Sequence, residues 1–339
     1  MDPIFIIGTE RSGTNLLRLM LNSHSAIAVP HPPHIMRLFG PLAPWYGDLT
    51  IDRNFRKLIS DVCRMVELHP YSWDLVLDRE QVLQQARDRS LISIYFAVYD
   101  QYLAASGKER WACKSTFMIE QVAEVLLRYP DARFLFMVRD GRDVAVSARS
   151  SIFNHYHVYY SAQRWAREQR LGLSWLTRLP REQIMLLRYK ELIREPEGTL
   201  RTLCGFLDEP FEQAMLAFHR TREAQKSAGL SISWENTNLP VISTNTGKYK
   251  DLLCDKDILL FEAIAYNELQ ELGYSLDNPL DRLEAMHAEA MRPRLAYWLS
   301  DQVLSVKAEI AHLFRDASSW KRIKKAAFMR SLACIRRVR

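Results

Sequence analysis

The stretch Pro3–Ser23, PIFIIGTERSGTNLLRLMLNS, constrains this chain more than any other. Ile4 to Ile7 form an unbroken apolar run, the pattern of a strand buried on both faces of a parallel sheet. From Leu16 onward, Leu16, Leu17, Leu19, Met20 and Leu21 cluster as they do in a buried helix. The segment between, Gly8 to Asn15, is then a strand-to-helix turn. Gly8 and Gly13 permit its tight backbone, and the N–H groups of residues 11 to 15 converge at a helix N-terminus. Arg11, Ser12, Thr14 and Asn15 add side-chain donors around the same point. The pattern predicts a loop that holds a phosphate or a group of the same shape.

An ATP-binding P-loop reads G-x-x-x-x-G-K-[ST], and Gly8 and Gly13 keep its glycine spacing. Thr14, however, stands where the phosphate-binding lysine belongs, and Arg11 is the only cation inside the loop. This argues against an ordinary nucleoside triphosphatase; a P-loop nucleotide-dependent kinase, the alternative enzymatic reading, needs a lysine at position 14 and an acidic magnesium ligand, and neither is found.

Further along, Ala26–Val29 reads as a second short strand, followed by Pro30-His31-Pro32-Pro33-His34, which its prolines keep out of regular structure. A loop leaving the C-terminal end of a parallel strand lies beside the ligand crevice, so His31 and His34 are candidate general bases. Residues 50 to 105 carry helical patterns and read as a helical insertion walling a cleft. Trp111–Lys114 predicts another strand delivering Lys114 to the crevice, with Ser115 capping a helix from about Phe117 to Arg128. Arg133–Val138 is the clearest buried strand. Arg139 leaves its C-terminal end, and Ser147 follows on the helix Val144–Ala148, so a cation and a hydroxyl can grip one phosphate from two sides. Arg142 and Asp143 read as surface ion pairs. His155 and His157 form an H-x-H pair that no carboxylate or cysteine cluster completes, so a metal is not expected.

A helix from about Tyr159 to Leu176 precedes the strand Ile184–Leu187, which delivers Arg188, Tyr189 and Lys190. Helices are expected over Pro196–Leu207, Phe211–His219 and Asp255–Leu272. Between them, residues 226 to 247 are rich in Ser, Thr, Asn and Gly, as in a loop folding over a ligand.

Taken together, these stretches resemble the sulfotransferase family that uses 3′-phosphoadenosine-5′-phosphosulfate (PAPS), and within it the branch of tyrosylprotein sulfotransferases and many bacterial enzymes. IIGTERSGTNLLRLML resembles the loop for the 5′-phosphosulfate, FLFMVRDGRDVAVSARSS the segment for the 3′-phosphate, and LLRYKELIREPEGTL the strand and helix that follow. The resemblance, which spans residues 3 to about 272, implies an α/β, three-layer P-loop-like fold with a central parallel sheet flanked by helices; a helical C-terminal extension is expected beyond it. It implies that Arg11, Ser12, Gly13, Thr14 and Asn15 hold the phosphosulfate, with Arg11 stabilising charge on the bridging oxygen. Arg139 and Ser147 then bind the 3′-phosphate, and Tyr189 contacts the nucleotide. Ser243 and Lys248 match a mobile loop that closes over it, and Lys114 matches a lysine beside the transferred group. One departure stands out: the tyrosylprotein branch uses a glutamate base in the loop after the second strand, where this chain has His31-Pro32-Pro33-His34. The implied reaction is sulfuryl transfer with a histidine base and no metal, to a carbohydrate, lipid or small-molecule acceptor.

The 339 residues accommodate one large α/β domain with an appendage, divided here as residues 1 to 283 and 284 to 339. Of the net charge of +6, eight Lys or Arg with no acid lie after Asp316, leaving about −2 before it. From Pro293, Leu295, Trp298, Leu299, Val303, Val306, Ile310, Leu313 and Phe314 recur at helical spacing. A basic amphipathic segment of this type suits an anionic membrane surface, packing on the core or on a second subunit, or, less well, nucleic acid. Docking without catalysis on the same scaffold is the alternative class of function. The five scattered cysteines, the four-residue N-terminal apolar run and the lack of a long apolar stretch point to a reducing, cytoplasmic setting, peripheral to a membrane if the tail docks.

Overall fold

The computed structural model describes residues 2–149, 151, 156–290 and 295–337, so the expectations for His155 and Pro293 fall outside the described residues. Five strands, β1 (Ile4–Gly8), β2 (Ile27–Ala28), β3 (Arg110–Cys113), β4 (Arg133–Val138) and β5 (Ile184–Arg188), form one sheet in the order β2-β3-β1-β4-β5. Every pairing is parallel, with Phe5 opposite Phe134 and Phe136 opposite Leu186.

The strands' period of two builds a core on each face. Phe5, Ile7, Phe134, Phe136 and Val138 point into one cluster, while Ile4, Ile6, Leu135 and Met137 point into the other. The second cluster is roofed by α1 (Thr14–Asn22), through Leu17 and Met20, and by the helix Pro196–Leu207. The first is covered by α2 (Asp52–Glu67), α3 (Arg79–Gln85) and α4 (Leu91–Ser106) of the helical insertion. On the same side lie α5 (Gly141–Ala148) and α6 (Val158–Arg178). The result is the expected three-layer α/β architecture.

Several elements depart from the sequence pattern. The helix expected over Phe117–Arg128 is a 3₁₀ turn, Thr116–Glu120, and a short helix, Val122–Leu126, because Gln121 leaves helical geometry at φ −111°, ψ 6°. Ser115 precedes the turn without capping it; its hydroxyl is hydrogen-bonded to His34 instead. Residues 211–219 hold only the 3₁₀ turns Gln213–Met215 and, at its end, Phe218–Arg220. The polar stretch 226–247 is partly helical: α7 (Arg222–Leu230), whose N-cap Thr221 accepts the Ala224 N–H at 3.2 Å, runs into it, and a 3₁₀ segment, Ile232–Asn238, follows. The helix expected over 255–272 breaks at Ala265 into α8 (Asp255–Ile264) and Tyr266–Glu271.

Arg142 and Asp143 are not surface residues; each is 1% exposed. The Arg142 guanidinium is enclosed by Asp140, Glu262 and the Ser275 carbonyl, and it lies over the Tyr249 ring at 4.1 Å. Asp143 accepts the backbone N–H groups of Gly247 and Tyr249, at 2.8 and 3.1 Å. It thereby fixes the segment after the polar loop to the start of α5.

The C-terminal part comprises α9 (Leu280–Ala290), α10 (Leu295–Arg315) and α11 (Ser319–Arg337). Residues 283 and 284 thus lie within one helix, which packs on α8. Among the described residues no helix is long and apolar enough to cross a membrane.

Candidate active site

The turn after β1 is built as its glycines require. Gly8 sits at φ +133°, where a Cβ would meet the Met137 carbonyl oxygen of β4 at 2.3 Å. Gly13, at φ +90°, is the N-cap of α1, and a Cβ there would lie 2.2 Å from the Tyr189 ring. Only glycine fits this approach of loop to ring.

A cavity of about 200 Å³ opens at this turn, lined by Arg11, Gly13, Thr14, Asn15, Lys114, Arg139, Ser147, Tyr189, Trp234 and Asn245 among others. The ends of β1, β3, β4 and β5 therefore converge on it. Arg11 donates from Nε to the Ser147 hydroxyl at 3.0 Å and from Nη2 to the Ser233 carbonyl at 3.2 Å. Arg139 donates to the carbonyls of Arg11 and Asn245, each at 3.1 Å, and stacks over the Tyr189 ring at 4.5 Å. Asn245 in turn donates to the Tyr189 hydroxyl at 2.7 Å.

These cations are crowded and desolvated. Burial, then the neighbouring Arg139, brings Arg11 down to about 10. Burial, then Arg18, brings Lys114 down to about 8. A site that strains its own positive charge in this way gains most from an anion. The donors at hand also lack partners: Ser12 Oγ, Asn15 Nδ2 and Arg139 Nε are buried with no hydrogen-bond partner among the described residues. Phosphate or sulfate oxygens match this donor set in chemistry and charge.

Of the residues singled out in the sequence, Arg11, Gly13, Thr14, Asn15, Lys114, Arg139, Ser147 and Tyr189 line the cavity, and Ser12 is buried beneath it. Ser243 and Lys248 are exposed and do not line it. His31 and His34 are not on its wall either. His31 faces a second cavity of about 150 Å³, with Tyr71, Trp73, Tyr102, Glu223 and Lys226. It stacks on Tyr71 at 4.1 Å and meets the edge of Trp234 at 5.0 Å, so the Trp234 ring separates it from the larger cavity. Both His31 ring nitrogens are buried without partners among the described residues. His34, at φ 59°, is hydrogen-bonded to Ser115 at 2.9 Å. Burial, then the charge of Lys114, holds both histidines well below 6.5, so both are neutral near pH 7. His157 is taken up in structure: its Nδ1 accepts the Tyr159 N–H at the start of α6.

Sequence reasoning missed four contributors. Arg18, fully buried on α1, pairs with Glu223 at 2.9 Å and also donates to Asn15 and Ser227. Its spacing of four from Thr14 placed it on the loop's side of the helix, a signal hidden among apolar neighbours. Glu10, paired with Arg164 at 2.9 Å, and Trp234 and Asn245 from the distal segment complete the lining. The sequence marked the stretches that hold them, the Gly8–Asn15 turn and the polar segment 226–247, but not these residues individually. The C-terminal extension also reaches the site's edge, where Lys325 of α11 donates to the Pro33 carbonyl of the histidine loop at 3.4 Å.

A parallel sheet with a glycine turn and a cluster of buried cations at the strand ends defines an α/β protein with an anion-binding site. The chain matches the Sulfotransferase family over residues 3–213 and belongs to that family. Among its relatives, the protein-tyrosine sulfotransferase of Drosophila melanogaster is 23% identical over 239 residues, covering 69% of this chain and 43% of that protein. Protein-tyrosine sulfotransferase 1 of Homo sapiens is 25% identical over 285 residues, covering 81% and 70%. An uncharacterized protein of Aquifex aeolicus (strain VF5) is 25% identical over 244 residues, covering 67% of this chain and 28% of that one. The chain thus spans less than half the length of the Drosophila and Aquifex proteins. The sulfotransferase domain from the curacin biosynthetic pathway shares the fold at a TM-score of 0.55 and 20% identity, covering 81% of this chain and 98% of that one.

Proposed function

We propose that the chain transfers a sulfuryl group from PAPS to a hydroxyl or amine of a carbohydrate, lipid or small-molecule acceptor. The observation that carries this is the convergence of Arg11, Lys114 and Arg139 with unpartnered donors on one cavity at a glycine turn that lacks the P-loop lysine. Family membership, over residues 3–213, supports the class; residues 1–283 are assigned as the transferase domain and 284–339 as an extension, although the division falls inside α9.

The loop N–H groups with Ser12, Thr14 and Asn15 hold the 5′-phosphosulfate, Arg139 and Ser147 take the 3′-phosphate, and Tyr189 contacts the nucleotide. Ser243 and Lys248 reach the nucleotide only when their segment closes over it. The acceptor oxygen forms a bond to sulfur as the bridging S–O bond breaks, and the electron pair leaves on the 5′-phosphate oxygen beside Arg11. Arg11 and Lys114 stabilise that charge in a site poor in water, where fixed charges act most strongly. His31, neutral and with both nitrogens unpartnered, takes the acceptor's proton; His34 is already engaged with Ser115. For His31 to reach the acceptor, the Trp234 ring must shift or the acceptor must enter from the second cavity.

Isothermal titration with adenosine 3′,5′-bisphosphate, beside ATP with magnesium and an Arg139→Ala control, tests this reading. Tight binding of the bisphosphate that Arg139→Ala abolishes supports it. Preference for magnesium ATP, or no nucleotide binding, overturns it.

A further inference from the structure

Helix α10 is oriented against the usual rule. Its buried face carries Asp301, Ala308 and His312, whereas Trp298, Leu299, Val303, Val306, Ile310 and Phe314 face outward, each at least 50% exposed. The inward polar groups hold that orientation. Asp301 accepts the backbone N–H groups of Tyr156 and His157 at 2.7 and 2.8 Å, and Asp316, just past the helix end and hydrogen-bonded to His312 at 2.7 Å, accepts the Ser231 hydroxyl at 3.0 Å. Rolling the helix to bury its apolar stripe would break both attachments and leave charged groups buried alone. A continuous stripe of this size on a fixed helix marks an interaction surface.

Helix α11 says what the surface meets. Its inner side is anchored by Leu332, with Phe328 and Met329, on the core of the insertion. Its exposed side carries Trp320 and Ile323 among Lys321, Lys324 and Arg330, and no acid follows Asp316. A second copy docking through the same patch would bring these cations against their own equivalents. A protein groove would have to supply both apolar cover and several carboxylates. An anionic lipid surface supplies both at once: acyl chains for Trp298, Phe314 and Trp320, and headgroup phosphates for the lysines.

We propose that α10 and α11 together form a membrane-docking surface that seats this protein on anionic lipid. The corner between them is hydrogen-bonded to Ser231 and to the Leu230 carbonyl, beside the wall of the larger cavity, so docking presents that side of the site to the lipid.

The test is co-sedimentation of the full chain with vesicles of phosphatidylcholine alone and with phosphatidylglycerol added, in low and high salt, alongside sedimentation equilibrium without lipid. Expected is binding to the anionic vesicles only, weakened at least tenfold by Val306→Glu with Ile310→Glu, by Lys321→Glu with Lys324→Glu, and by salt. All four positions are exposed, and unchanged thermal unfolding of the variants guards against misfolding. No binding of the native chain, or binding that survives both double variants, overturns the proposal. So does a dimer that Val306→Glu with Ile310→Glu dissociates in the absence of any vesicle binding, which assigns the stripe to a second copy.

Discussion

The Ser231 hydroxyl donates to the fully buried Asp316 carboxylate at 3.0 Å, fastening the α10–α11 corner to the segment that enters the cavity wall at Ser233 and Trp234. His312 and Arg322 bind the same carboxylate oxygen, at 2.7 and 3.0 Å. The extension is therefore joined to the site through buried polar contacts as well as apolar packing.

Asp316→Ala removes the common acceptor for all three groups. Arg322 is partly exposed and can rehydrate, but Ser231 and His312 cannot, so the expected loss is about 3 kcal/mol of stability. Urea unfolding measures it. Because Ser233 and Trp234 follow immediately, the acceptor's KM should rise more than the affinity for the bisphosphate falls. A loss below about 1 kcal/mol would show that the Asp316 contacts are not what holds the corner.

Lys114 makes nucleotide binding dependent on pH. Its pKa in the free protein is about 8, well below its value of 10.5 in water, because burial and Arg18 oppose the charged form. A bound dianion favours the charged form and raises that pKa, so binding near pH 8 takes up protons, and affinity falls as pH rises above 8. The unliganded fold shows the complementary sign. Between 8 and 10.5 the unfolded chain holds more protons at this residue, so its contribution to stability improves as pH rises through that window. Titration at pH 8 in two buffers of different ionisation enthalpy reads the uptake directly, and Lys114→Met should abolish it.

The two histidines separate kinetically. His31→Gln is expected to lower kcat by roughly 10²- to 10⁴-fold with bisphosphate affinity unchanged, the range lost with a well-placed general base. His34→Gln should cost far less. Activity requires the neutral ring, and burial with Lys114 nearby holds His31 well below 6.5, so the acid limb of the pH–rate profile should fall below pH 6.5. A larger loss for His34→Gln would transfer the role.

These expectations rest on features that were unevenly legible in the sequence. β1, β4 and the loop between Gly8 and Asn15 could be read because a strand buried on both faces and a glycine-bounded turn are local patterns. Arg142 and Asp143 were misread for the same reason: an R-D pair after a turn resembles solvated charge until its partners are known. Those partners are Glu262, Gly247 and Tyr249, over a hundred residues away. The polar segment that carries Trp234 and Asn245 was expected to fold over a ligand, but which of its residues reach the cavity wall could not be read, since that depends on how it returns over the sheet. The histidine loop was expected beside the crevice, yet neither His31 nor His34 lines the larger cavity; the sequence could not show that Trp234 stands between His31 and it.

Gly13 is the position where backbone and site depend on each other most directly. Gly13→Ala must hold an L-residue at φ +90° and place a Cβ 2.2 Å from Cδ2 of Tyr189. Relief requires the ring to move, and that movement breaks the 2.7 Å bond from Asn245 and the stacking of Arg139 over the ring. The expected outcome is a loss of at least about a hundredfold in bisphosphate affinity, which is roughly 3 kcal/mol, with about 1–3 kcal/mol lost from folding. Gly229, within α7, provides the contrast: a Cβ there meets nothing within 4 Å, and its φ is not positive. Gly229→Ala should leave affinity unchanged and raise stability by up to about 1 kcal/mol, the helix propensity gained. If titration and urea unfolding found the two substitutions equivalent, the close approach of the loop to Tyr189 would not be what shapes the anion site.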